Sequence, residues 1–184
     1  MILNFTLKTN GPFMNDINYS NLSLVDNEAR VFKKKDIFYR GIFSEKSSIL
    51  SLLKTGLFQE CVNNNLLPKS EICDVKIDGF HSIIKHETAL HVTYPHEWSL
   101  YMLKDACLMY LHLYKKCLEN GYSLKDGHGY NIVFFGTIPK FVNLGSIQKG
   151  EIKNIQEFNK TMLLPLMIWL NGNYNLANKY INDD

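Results

Sequence analysis

Leu100, Leu103, Cys107, Tyr110, Leu111, Tyr114 and Leu118 recur at three- and four-residue spacing. Apolar side chains spaced this way share one face of an α-helix. Asn120-Gly121 then supplies the residue types that end one. A helix this long and one-sided must lie on a second layer. The chain has 184 residues, enough for one domain with a real core but short for two.

The segments before the helix are β-prone. Residues 1–26, rich in Asn and Ser, read as a lead-in strand and loop. Arg30-Val31-Phe32 and Ile37 to Ile42 flank Lys33-Lys34-Lys35-Asp36 as a hairpin. Ser44 to Asn63 reads as helical, with a break at Gly56 and a turn at Asn63-Asn64-Asn65 to Pro68. Phe80 to Ile84 and Ala89 to Tyr94 read as strands, the second closed by Pro95. After the long helix, Ile132 to Phe135 and Lys140 to Val142 form a short strand pair around Gly136-Thr137. Phe158 to Leu170 reads as a last helix interrupted by Pro165. The order is α+β, with a β-rich front (27–96, with one helical region) and a helical back (97–184).

Between the long helix and the strand pair lies Leu124-Lys125-Asp126-Gly127-His128-Gly129-Tyr130-Asn131, and after the pair Val142-Asn143-Leu144-Gly145-Ser146. An Asp and an Asn five places apart in such a loop match the chemical centre of protein-kinase-type phosphotransferases. There an Asp aligns the hydroxyl to be phosphorylated, while an Asn and a second Asp hold magnesium. Asp126 is the candidate catalytic residue, and Asn131 and Asn143 are the candidate metal ligands. Asn143 stands where a carboxylate is expected. An amide keeps a hard oxygen ligand but loses a charge worth about 4 kcal/mol against a unit cation 4 Å away near a protein surface. The same residues would also serve an ordinary polar loop, with Asp126 capping a turn and Asn131 bonded to backbone.

No GxGxxG phosphate loop is present. The candidates for nucleotide binding are Arg40 and Lys85 on two strands, and Tyr94 and His96 in Tyr94-Pro95-His96-Glu97-Trp98. That last segment leads into the long helix, where a purine would stack between two lobes. It also reads as a helix entry, with Trp98 plugging the core. His86-Glu87 with His91 misses zinc-protease spacing by one place. Val142 to Ser146 faintly echoes a methyltransferase glycine motif without its second Gly, so S-adenosylmethionine is not expected for this chain alone.

A net charge of +2 argues against nucleic acid or an anionic membrane as partner. The longest apolar run, Met162 to Leu170, is about half a membrane span. Cys61, Cys73, Cys107 and Cys117 show no metal-site spacing, and reduced thiols in a cytoplasmic protein are the default.

Three blocks carry a family resemblance: Tyr39-Arg40 with Gly56-Leu57-Phe58; Tyr94 to Ser99 with Met102 to Ala106; and Leu124 through Ser146. Together they resemble bacterial NoeA-like nodulation proteins, a family also labelled class I S-adenosylmethionine-dependent methyltransferases. The resemblance runs from about Asp26 to Leu170. It implies a kinase-like N-terminal region joined to a methyltransferase domain that lies beyond this chain. A kinase-like two-lobe fold with a truncated C-terminal lobe is then expected. ATP and magnesium are the implied cofactors, a sugar or glycan hydroxyl the acceptor, and a methyltransferase the partner. A catalytically impaired, pseudokinase-like binding module is the alternative.

Overall fold

The computed structural model describes residues 17–19, 26–150 and 155–182. The protein is α+β, and its chain divides into two compact units, 1–53 with 69–88 and 54–68 with 89–184. The order of predicted elements puts the division at 96/97; in the structure it falls at 88/89, with 54–68 in the second unit.

The first unit contains β1 (Ile17–Tyr19), β2 (Ala29–Lys34), β3 (Ile37–Ile42), the short helix α1 (Ser48–Leu53), β4 (Ser70–Cys73) and β5 (Ser82–His86). The strands form one antiparallel sheet in the order β1-β2-β3-β5-β4. Pairing of Lys34 with Ile37 leaves a two-residue turn, with Lys35 at a φ of 54°. Register then stacks Phe32 on its cross-strand neighbour Tyr39, ring centroids 5.5 Å apart. Phe32, Tyr39, Ile77 and Ile83 make a core on that face. Phe80 stacks on both Phe32 and Phe43, and it crosses so close to Gly41 that a Cβ there would sit 2.5 Å from its ring. At the start of α1 the Glu28 carboxylate accepts from the Ser48 amide and from the hydroxyls of Ser47 and Ser48, meeting donors that a helix start leaves open.

The second unit begins with α2 (Gly56–Asn63), capped by Thr55 Oγ1, which accepts from the Phe58 amide. The expected break falls at Lys54-Thr55, just before Gly56, which opens the second helix. The long helix α3 spans Leu100–Glu119, with Ser99 as its N-cap. Its buried face carries Leu103, Ala106, Cys107, Tyr110, Leu113 and Cys117, whereas Leu111 and Leu118, expected on that face, are exposed. Two small ribbons follow, β6 (Tyr122–Leu124) with β9 (Ile147–Lys149), and β7 (Ile132–Phe135) with β8 (Ile138–Phe141). Gly136, at φ 66°, turns the second. The C-terminal helical stretch runs as α4 (Gln156–Phe158), a π-helical turn (Asn159–Leu163), α5 (Leu164–Leu170) and α6 (Tyr174–Asn182). Pro165 has no N–H to donate and its ring crowds the carbonyl one turn back. The wide turn just before it is the helix's accommodation of that residue.

One expected element is absent. Ala89 to Tyr94 forms no strand. Its β-prone side chains have no neighbouring strand to pair with among the described residues, and Leu90 is 94% exposed. The segment meets its polar groups locally instead: Thr93 Oγ1 accepts from Trp98 Nε1, and the Tyr94 amide donates to the Glu97 carboxylate. Most of the lead-in 1–26 lies outside the described residues.

Candidate functional site

Asp126, Asn131, Asn143, Tyr94 and His96 all lie in the second unit; Arg40 and Lys85 lie in the first. The ribbon β6–β9 sets the entry to the loop. The Lys125 amide donates to the Ser146 carbonyl at 2.9 Å, and the Asp126 amide donates to Ser146 Oγ at 2.8 Å. The next amide, on Gly127, donates to the Glu157 carboxylate of α4. Ser146 is almost fully buried. Two consecutive amides are thus held by residues 20 and 30 places further along the chain. Among the described residues the Asp126 carboxylate itself makes no hydrogen bond or ion pair.

Packing is close at both glycines of the loop. A Cβ on Gly127 would lie 2.8 Å from the Phe158 nitrogen and 2.9 Å from Tyr110 Oη. A Cβ on Gly129 would lie 2.8 Å from Pro95 Cγ. Tyr110 stacks on Phe158 with centroids 4.6 Å apart, and its hydroxyl is buried without a hydrogen-bond partner among the described residues. Burial, then the neighbouring Tyr114, Glu157, Cys117 and Asp126, push its ionisation well above the usual phenol range.

Asn131 is buried in the 3₁₀ turn that closes the loop. Its amide nitrogen faces His128 Nε2 at 3.3 Å, which turns Oδ1 away from that ring. Its carbonyl accepts from the Val142 amide, tying it to the segment that carries Asn143. Asn143 uses its backbone carbonyl to accept from the Ser146 amide, and its side chain makes no bond among the described residues. No group of three or more His, Cys, Asp or Glu side chains is placed to hold a metal ion among the described residues. The donor set is two neutral amide oxygens, and it fits magnesium only as an ion carried in by phosphates, which would supply most of its ligands.

Around the loop lie four rings. Tyr94 and His96 are parallel with centroids 5.9 Å apart, Tyr94 and Tyr130 are 6.2 Å apart, and His128 and Tyr130 are 6.1 Å apart. Tyr94, His96 and Tyr130 are exposed. The helix-entry reading of this segment also holds, since Trp98 is buried edge-on against Phe134.

In the first unit Arg40 pairs with Ile84 and Lys85 with Tyr39, so the two basic side chains emerge on opposite faces of the sheet. Lys85 forms an ion pair with Glu71 at 3.5 Å. Arg40 is buried, and burial lowers its pKa. His86 shares Arg40's face. Its Nδ1 lies 2.8 Å from Ser70 Oγ, and burial followed by the Arg40 charge holds its pKa down at about 3.

Sequence reading did not find Ser146 or Glu157 as loop anchors. A Ser next to a glycine turn and a Glu before a helix carry no signal until the fold brings them to the Asp126 backbone. The four cysteines are free thiols, with burial pushing Cys107 and Cys117 up to about 12. Among the described residues no helix is long and apolar enough to cross a membrane.

No family model matches the chain. Over 90 residues it is 32% identical to nodulation protein NoeA of Rhizobium meliloti (strain 1021). The chain is similar to part of NoeA. The match covers 47% of this chain and 19% of NoeA, so the chain spans about a fifth of that protein's length.

Proposed function

We propose that this chain is a kinase-like module that binds a nucleotide beside the Asp126 loop and sets Asp126 against a sugar or glycan hydroxyl. The observation that carries this reading is the contrast within the loop. Its backbone is fixed by Ser146 and Glu157, while the Asp126 carboxylate is left without a protein partner among the described residues. A group held that way can orient or accept a hydroxyl proton with little reorganisation.

Further support comes from the element order: an antiparallel sheet with helices between its third and fourth strands, then a long helix, the loop and a strand pair. Arg40 sits on β3, the strand on which protein kinases carry their phosphate-binding lysine. Tyr94 and His96 would stack a purine; Lys85, on the other face of the sheet from Arg40 and paired with Glu71, would not share a phosphate with it. Asn131 and Asn143 would hold a magnesium ion, which when bound would neutralise charge on the transferring phosphates. A methyltransferase, as a domain or a separate protein, is the proposed partner, on the strength of the resemblance to NoeA-like proteins. A cytoplasmic setting is proposed with it.

A second reading is favoured by Asn143, which removes the carboxylate that would hold the metal. On that reading the chain binds a nucleotide or a partner without turnover. A thermal-shift titration with ATP plus magnesium, ATP plus EDTA, and S-adenosylmethionine tests the site. Ligand at a hundred times its Kd adds about 2.7 kcal/mol, so a metal-dependent rise of several degrees with ATP is expected. No shift with ATP would sink both nucleotide readings. Asn143→Asp then separates them: metal-dependent ATP turnover appearing only in the variant identifies an impaired kinase.

A further inference from the structure

The side of α3 that faces away from the core carries a second apolar stripe. Tyr101, Leu108, Leu111 and Leu118 are 72%, 59%, 39% and 42% exposed. Single exposed leucines are ordinary on a protein surface. These four, with Lys104 and Lys115, occupy positions 101, 104, 108, 111, 115 and 118. That alternation of three and four is the seam of a coiled coil. The core face of the same helix is a separate set, centred on Leu103, Tyr110 and Cys117.

The seam is palindromic. It reads apolar, Lys, Leu from Tyr101 inward and apolar, Lys, Leu from Leu118 inward. A twofold axis between Leu108 and Leu111 therefore sets like against like, which is what an isologous contact requires. We infer that this face of α3 is the contact surface of a homodimer, with two copies of the helix antiparallel across the seam. Leu108 then packs on Leu111 of the second copy, and Tyr101 on its Leu118.

Charge fits the same arrangement. Lys104 of one copy comes level with Lys115 of the other, but neither brings its charge alone. Lys104 Nζ lies 3.5 Å from Asp105 and Lys115 Nζ lies 3.8 Å from Glu119. Each end of the seam thus collects two cations and two anions with no net charge. Antiparallel packing also sets the helix dipoles head to tail. Lysine at two of six seam places weakens the contact while fixing its register, so the dimer is expected at micromolar rather than nanomolar concentration.

Analytical ultracentrifugation of the whole chain across the micromolar range tests this. A concentration-dependent dimer is expected. Leu108→Glu with Leu111→Glu should make the chain monomeric with an unchanged circular dichroism spectrum, because both side chains are exposed. A wild-type chain that stays monomeric throughout, or a dimer that survives the paired Leu→Glu changes, would each overturn the inference.

Discussion

Replacing Gly127 by alanine adds one methyl group to the loop that carries Asp126, and the structure says where it goes. The new carbon would lie 2.8 Å from the Phe158 nitrogen, 3.0 Å from Phe158 Cβ and 2.9 Å from Tyr110 Oη. Ordinary carbon contacts sit at about 3.5–4.0 Å, so either the loop or the start of the C-terminal helix must move. Overpacking of this kind costs about 1–3 kcal/mol. Withdrawing the Gly127 amide from the Glu157 carboxylate would cost a similar amount, and the two are not additive. At about 2–4 °C per kcal/mol for a chain of this size, the thermal midpoint should fall by roughly 3–10 °C. Followed by circular dichroism, that fall is measurable. Tyr110→Phe supplies the internal control. It deletes one of the three close atoms together with a buried hydroxyl that has no hydrogen-bond partner among the described residues. Alone it should leave the midpoint unchanged or raise it. Combined with Gly127→Ala it should recover part of the loss, with a coupling of about 0.5 kcal/mol or more. An unchanged midpoint in Gly127→Ala, or strict additivity in the pair, would refute the packing described for this loop.

Other consequences concern the anchors and the first unit. Ser146→Ala removes the acceptor of the Asp126 amide and should cost about 1–2 kcal/mol of stability. It should also reduce any ATP-dependent thermal shift, whereas Ser146→Thr, which keeps the hydroxyl, should retain more of it. For His86, whose pKa falls from 6.5 unfolded to about 3 folded, the unfolded chain binds a proton that the folded one refuses between those values. Stability should therefore fall as pH drops from 6.5 toward 3, by up to about 1.4 kcal/mol per pH unit, and be indifferent to this group above that window. His86→Gln should flatten the slope in urea titrations at a series of pH values; an unaltered slope would place the proton uptake elsewhere.

The parts legible in the sequence are those whose physics is local. The three- and four-residue spacing of α3 follows from helix geometry, and its ends from Ser99 and Asn120. The β2–β3 hairpin follows from two β-prone runs either side of a polar turn. The disturbance at Pro165 follows from backbone chemistry, while the break before Gly56 is fixed by the Thr55 cap. The candidates Asp126, Asn131 and Asn143 rest on their spacing in the sequence, and their roles remain proposals. Ala89 to Tyr94 was misread because β-prone side chains do not make a strand without a neighbour to bond to. The pair β6–β9 was invisible for the converse reason: each strand has three residues, and only their pairing defines them.

The sequence by itself determined an α+β order, a long one-sided helix, and a polar loop after it that carries Asp126 and Asn131. Tertiary structure alone decided how that loop is held, because the acceptors for its two amides come from 20 and 30 residues further along the chain. It also set Arg40 and Lys85 on opposite faces of one sheet, a fact of strand register that spacing along a single strand does not encode. Local preference is written residue by residue, whereas a buried amide takes whichever acceptor the packed chain brings to it.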